Sequence, residues 1–263
     1  MNAVTAELRK FFTTRMWWGM GIAVVLSGMG LAALNGLFLT SSAAAEAGVG
    51  SMSDSTLAKN VYTGGIGVGY LLTLAVGVMA IGAEYRHKTI TSTFLATPKR
   101  VRVMVAKVVA LVAIGGFYGV LSLLGSTAVG ATILSLRGHP AFPDASVWRS
   151  MALGLLVLAV WALIGLGAGI LIPNQVAALL VSIGVAWIVE PILTFVFGAQ
   201  DWGKGFVRFF PSAATTAALD TNTTSGPGSI PVLAWWGGAL VLVGYAAVMS
   251  VVGSALTVRR DVS

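Results

Sequence analysis

No cysteine occurs in the 263 residues, which removes disulfides, thiolate metal sites and cysteine nucleophiles from consideration. Histidine is nearly as scarce. With His87 and His139 alone available, an imidazole-rich metal centre lacks donors. Charge is the third shortage: Asp, Glu, Lys and Arg make up 10% of the chain against 57% for hydrophobic residues, and mean hydropathy is +0.89. So small a polar fraction does not clothe a soluble globule. The composition is that of a polytopic membrane protein.

What the chain does have is long apolar runs. A helix needs about 20 apolar residues to cross a bilayer, and six runs qualify: residues 17–39, 61–83, 108–136, 151–172, 176–197 and 232–258. They are continuous, whereas the strands of an outer-membrane barrel alternate over roughly ten residues. The expected fold is therefore an all-α membrane protein, with residues 1–263 forming a single transmembrane domain. Five runs carry no charged residue, and the fifth in order contains Glu190. Ala43-Ala44-Ala45 resembles a signal-peptide cleavage site. The run before it exceeds the about 7–15 residues of a signal core, so the first span is expected to stay.

Positive charge orients the bundle. With the N-terminus inside, the inner segments hold Arg9, Lys10, Arg15, Arg86, Lys88, Lys99, Arg100, Arg102, Lys107, Arg259 and Arg260, and the outer ones hold Lys59, Arg137, Arg149, Lys204 and Arg208. The positive-inside rule then gives both termini inside. That asymmetry accounts for the net charge of +7 without nucleic acid as a partner. Trp17 and Trp18 mark one interface; Tyr62, Trp148, Trp202, Trp235 and Trp236 mark the other.

Within residues 1–16, Val4, Leu8, Phe11 and Phe12 recur at helical spacing, with Glu7, Lys10, Thr13 and Thr14 on the other face. This predicts an amphipathic interfacial helix in contact with membrane lipids, serving either as an anchor or as a lever on span one. Pro173-Asn174-Gln175 predicts a tight turn. The segment 198–231 is too apolar for a solvated loop because of Trp202, Phe206, Phe209 and Phe210. Short helices dipping back toward the membrane are expected there, with a mobile tip at residues 221–228.

Glu190 is the sole ionisable residue inside a predicted span. At 1.5 Å per residue from Asn174 it lies about 24 Å up a core roughly 30 Å thick. It is either hydrated or paired with Lys204 or Arg208, or else a gate or substrate contact. Pro191 removes a backbone donor beside it, so a helix break is expected. Gly65/Gly69, Gly115/Gly119 and Gly165/Gly169 form small-xxx-small pairs, read as packing within the chain in preference to a dimer seam. Trp161 and Trp187 read as core residues, with a greasy pathway as the other use.

The densest feature is the polybasic loop at residues 84–107, which holds Arg86, Lys88, Lys99, Arg100, Arg102 and Lys107. Pro98 disfavours helix at Thr97, so a short helix over about 86–95 should end there, with Thr97 capping an extension of span three. Ile90, Phe94 and Leu95 beside Arg86, His87 and Lys88 suit either docking on a protein or resting on headgroups.

Glu84, Arg86, Thr89, Leu95, Pro98, Arg102 and Lys107, at these spacings between spans two and three of six, resemble the cytoplasmic loop of type-2 ABC transporter permeases. The amphipathic N-terminal helix, the six spans and the partly apolar segment before span six match as well. The chain departs from the pattern at Lys88, where a glycine often precedes the threonine. The resemblance implies a permease subunit of an ATP-driven exporter for hydrophobic or amphipathic compounds such as drugs, antibiotics or lipids, in the bacterial cytoplasmic membrane. It implies a second permease copy, as homodimer or with a close paralogue. It also implies a separate ATPase subunit docking on a coupling helix at Arg86, His87, Lys88, Thr89, Ile90, Phe94 and Leu95, with ATP and magnesium bound there. No catalytic residue, metal or cofactor is expected in this chain: its one Gly-Lys pair, Gly203-Lys204, is followed by Gly205 where a P-loop needs Ser or Thr. A non-transporting sensor or immunity protein using the same loop is the alternative. A proton- or sodium-driven carrier would need more intramembrane charge, and an intramembrane hydrolase would need a general base that no span supplies.

Overall fold

A computed structural model describes residues 3–46, 52–86, 100–221 and 231–259. Among them the chain is helical throughout, with no strand. Six helices are long and apolar enough to cross a membrane: Met16–Leu39, Asp54–Arg86, Val101–Leu136, Ala145–Leu171, Gln175–Gly198 and Trp235–Ala255. They agree in number with the six apolar runs and are numbered as spans one to six below.

Several begin earlier than hydropathy marks them, because a polar residue starts the helix before the apolar stretch. Ser53 accepts from the Thr56 amide, Asp144 from Ser146, and Asn174 from both Val176 and Ala177. Each side chain satisfies amides that the first turn leaves without partners. Span two consists of helix Asp54–Thr63, a turn at Gly64 and Gly65, and helix Ile66–Arg86. Lys59, expected in an outer segment between spans, therefore sits in a helix, and it is buried with its ammonium 2.7 Å from Asp220 Oδ2.

Span four is the axis of the bundle. Of its apolar window 78% is buried, and it packs on spans two, three and six. Lipid is as apolar as leucine, so no hydrophobic force drives spans together; close dispersion contact must do it. Glycine permits that contact where spans two and four cross. A Cβ on Gly77 would strike the Ala162 carbonyl, and one on Gly165 would strike the Leu74 carbonyl. The other predicted small-residue sites also face neighbours within the chain: Gly65 lies against Gly28, Gly69 against Leu158, Gly115 against Ala159, Gly119 against Leu155 and Gly169 against Val78.

Span five is held differently. Its first part, Gln175–Gly184, packs on spans two and four, while Glu190–Gly198 packs chiefly on the short helix Asp201–Val207. Trp187 is 64% exposed on its outer surface, which corrects its reading as a core residue, whereas Trp161 is 2% exposed. The segment after span five does form short helices, Asp201–Val207 and Pro211–Leu219, the second packed on spans six and four. Residues 222–230, most of the expected tip, lie outside the described residues.

The helix Ala3–Phe12 packs on span three. Phe11 was expected among acyl chains; instead it is buried and meets the Tyr118 ring edge-on at 6.0 Å. Glu7 and Lys10 turn toward the bundle as well, for the reason given below.

Replacing Gly165 with Val should force spans two and four apart and cost about 1–3 kcal/mol. Gly116→Val, at a site with nothing within 4 Å of a new Cβ, should be silent. Thermal unfolding of the two purified variants in detergent checks the contrast.

Candidate functional site

Two constructions stand out, one at the end of the bundle bearing the N-terminal helix and one beside span five. The near-end construction joins three elements through four charges. Lys107, at the start of span three, lies 2.7 Å from Glu7 Oε2 and 3.0 Å from Glu84 Oε1. Lys10 lies 2.6 Å from Glu7 Oε1 and 2.9 Å from Glu84 Oε1. Two cations and two carboxylates alternate, so the cluster is neutral, and Lys107 is 2% exposed.

The electrostatics follow from that alternation. Burial alone would push the Glu7 carboxyl up, but Lys107 and Lys10 outweigh it and hold it below its ordinary value of 4.5. Burial alone would push Lys10 down, but its bonds to Glu7 and Glu84 hold it above 10.5. Ionised Glu7 thus stabilises the fold above pH 4.5, and this contribution is lost as pH falls through its depressed value. Charged Lys10 stabilises the fold below pH 10.5, and this is lost as pH rises through its elevated value.

Glu84 and Lys107 are the two ends of the polybasic loop, so the cluster closes that loop at its base and fastens it to the N-terminal helix. Arg86 is exposed at the last turn of span two. His87, Lys88, Thr89, Ile90, Phe94 and Leu95, with the predicted coupling helix and the Thr97 cap, lie outside the described residues. Periodicity alone places Glu7 and Lys10 on the polar face of an interfacial helix, opposite its apolar face. The signal that points to their true role is two acids and two bases placed where three apolar elements reach the polar boundary.

The second construction is a cleft of about 450 Å³ between span five and spans two, four and six. Its wall is almost wholly aliphatic, with Leu74, Ile164, Leu171, Val185 and Met249, and it carries the rings of Trp161 and Tyr245 and one carboxylate, Glu190. Glu190 pairs with neither cation proposed for it. Lys204 bonds Asp201 at 2.7 Å, and the Arg208 guanidinium lies 4.8 Å over the Phe209 ring. Instead the Ser212 amide and hydroxyl both donate to Glu190 Oε1, at 2.6 and 2.7 Å. Helix Pro211–Leu219 has no side-chain cap of its own, so Glu190 supplies one from span five, with its carboxyl group at the positive helix end.

Span five does not break at Pro191. It forms a π-turn over Val185–Val189, in which the Glu190 amide bonds the Val185 carbonyl. The turn absorbs the donor that Pro191 lacks. Above the cleft, the rings of Tyr70 and Trp161 stack at 4.3 Å and Trp161 Nε1 donates to Thr215 at 3.0 Å. This layer separates the cleft from a polar hollow of about 270 Å³ bearing Asn60, Thr63, Thr216 and Thr221. At that far end Asp220, at φ 54°, joins Lys59 to Arg149, and Arg149 lies 4.8 Å over Trp235.

Among the described residues no group of three or more metal-ligating side chains converges. No family model matches the chain, and no curated protein matches it.

Glu7→Gln should leave Lys107 buried with half its partners and cost about 3–5 kcal/mol. Thermal melts should also show the variant losing the part of the wild-type acid destabilisation that sets in below pH 4.5.

Proposed function

We propose that the chain is the membrane-spanning permease subunit of an ATP-driven ABC exporter for hydrophobic or amphipathic compounds. The end bearing the N-terminal helix faces the cytoplasm, as the charge count favours, and the N-terminal helix lies along that surface. A separate ATPase subunit docks on Arg86 to Leu95 and supplies the ATP and magnesium chemistry. A second permease copy completes the assembly, in a bacterial cytoplasmic membrane.

The observation that carries this reading is the four-charge cluster at the base of the loop. A loop used only as an anchor needs no rigid footing. Here Glu84 and Lys107 bind the loop's two ends to each other and to the N-terminal helix, so a push on the loop is delivered to spans two and three and to that helix as one body. Span five, which carries Glu190 beside the cleft, packs on span two through Gln175–Gly184. Displacement of span two therefore reaches the cleft through direct contact.

Phe94→Asp and Leu95→Asp should each abolish copurification of the ATPase subunit and ATP-dependent transport in sealed vesicles, with thermal unfolding unchanged. Normal partner affinity in either variant would refute the docking assignment. A copurified ATPase without ATP-dependent transport would favour the sensor or immunity reading.

A further inference from the structure

The cleft beside span five has the size of a ligand site and a single carboxylate within it. Its about 450 Å³ falls inside the range of roughly 300–1,000 Å³ typical of small-molecule sites. Glu190 is 6% exposed. Both Ser212 donors converge on Oε1, and none of the described residues donates to Oε2. An incoming cation would join the helix end behind Ser212 in favouring the ionised carboxylate, with Oε2 as the acceptor that Ser212 leaves open.

That arrangement discriminates among occupants. A hydrocarbon chain filling the cleft would bury Oε2 without a partner, at the cost that attends any unpaired buried polar atom. An anion would meet like charge. A protonated amine brings N–H donors and a compensating charge together, and Trp161 and Tyr245 on the same wall supply aromatic rings of the kind that attract cations. We propose that this cleft binds an amphiphilic amine, its ammonium on Glu190 Oε2 and its apolar body against Leu171, Val185 and Met249. The inference deepens the exporter reading by naming the class of compound, and rests on that reading only in calling the ligand cargo.

The test uses the full chain in phosphatidylcholine nanodiscs without ATP or any ATPase subunit. Binding of tritiated dodecylamine is measured at neutral pH with empty nanodiscs subtracted, and unlabelled dodecylamine and dodecanol serve as competitors. Wild type should bind saturably, with dodecanol a poor competitor. Glu190→Gln keeps an acceptor for Ser212 but loses the charge, and should weaken amine binding about tenfold or more. Ser212→Ala keeps the charge and should retain saturable binding. Ala168→Phe, which fills the cleft from span four, should abolish it with Glu190 intact. Equal amine binding by wild type and Glu190→Gln, or dodecanol competing as well as the amine, would reduce the cleft to a lipid groove and overturn the proposal. So would the absence of saturable binding. Should Glu190→Gln fail to fold, the amine-to-alcohol ratio and Ala168→Phe decide the matter. Binding with no ATP-dependent transport would sink the exporter reading and leave the site standing; transport with no binding would do the reverse.

Discussion

Spans two and four approach so closely that each presents a glycine to the other's backbone, and the remaining architecture is arranged around that contact. In lipid, where hydrophobic burial between helices gains almost nothing, dispersion at short range is the available attraction. Gly77 and Gly165 provide the range. The seam fixes the height of Tyr70 relative to Trp161, whose rings stack at 4.3 Å, and so fixes the layer between the cleft and the far hollow. Span five lies outside this seam. It packs on spans two and four through Gln175–Gly184, and the residues beyond, with Ala186 and Glu190 turned inward, line the cleft.

The two ends of the bundle are closed by charge instead of by small residues. Glu7, Lys10, Glu84 and Lys107 join three elements at one end; Lys59, Arg149 and Asp220 join three at the other. Burying such groups is costly, and at the near end alternation of sign with short contacts offsets that cost; at the far end Asp220 and Arg149 stay partly exposed. Their placement at the ends is itself physical, because water and headgroups nearby lower the penalty that mid-membrane charges would meet. The consequence is a bundle tied by charge at both ends, with a fifth span between them whose outer part packs chiefly on a short helix. A force applied at the base has a defined place to be expressed.

The number of spans was legible because run length is a local property, read residue by residue against bilayer thickness. The small-residue pairs were legible for a similar reason: glycines four apart share a helix face whatever lies opposite. Partner identity was not. Glu7 and Lys107 are a hundred positions apart, and nothing local in either neighbourhood says that they meet. Lys59 read as a loop cation because its surroundings are polar, yet it is buried once Asp220 arrives from the opposite end of the sequence. Glu190 shows both sides. Its depth followed from counting residues, while its burial depended on Ser212 in a helix that returns from beyond the span. The cations nearest in sequence, Lys204 and Arg208, were plausible partners by proximity and were already engaged with Asp201 and Phe209. Residues His87 to Leu95, on which docking is proposed, are legible only as a pattern.

The irregularity of span five has a geometric purpose that bears on Glu190. Ala178, Ala186 and Glu190, at multiples of four, are the buried residues of span five. In a regular α-helix four residues turn through about 400°, so such a line drifts by about 40° at each step. Carried as far as Glu190, that drift would turn the carboxylate toward the outer surface where Trp187 and Ile188 lie. The π-turn at Val185–Val189 has more residues per turn and cancels the drift just before Glu190. A π-turn is less favourable than the α-turn it replaces, so something must hold it. Pro191 removes one bond that the α-helix would have made, and Ser212 holds the carboxylate with two. The helix is thus bent out of its preferred geometry just where doing so keeps the Glu190 carboxyl facing inward, toward the cleft.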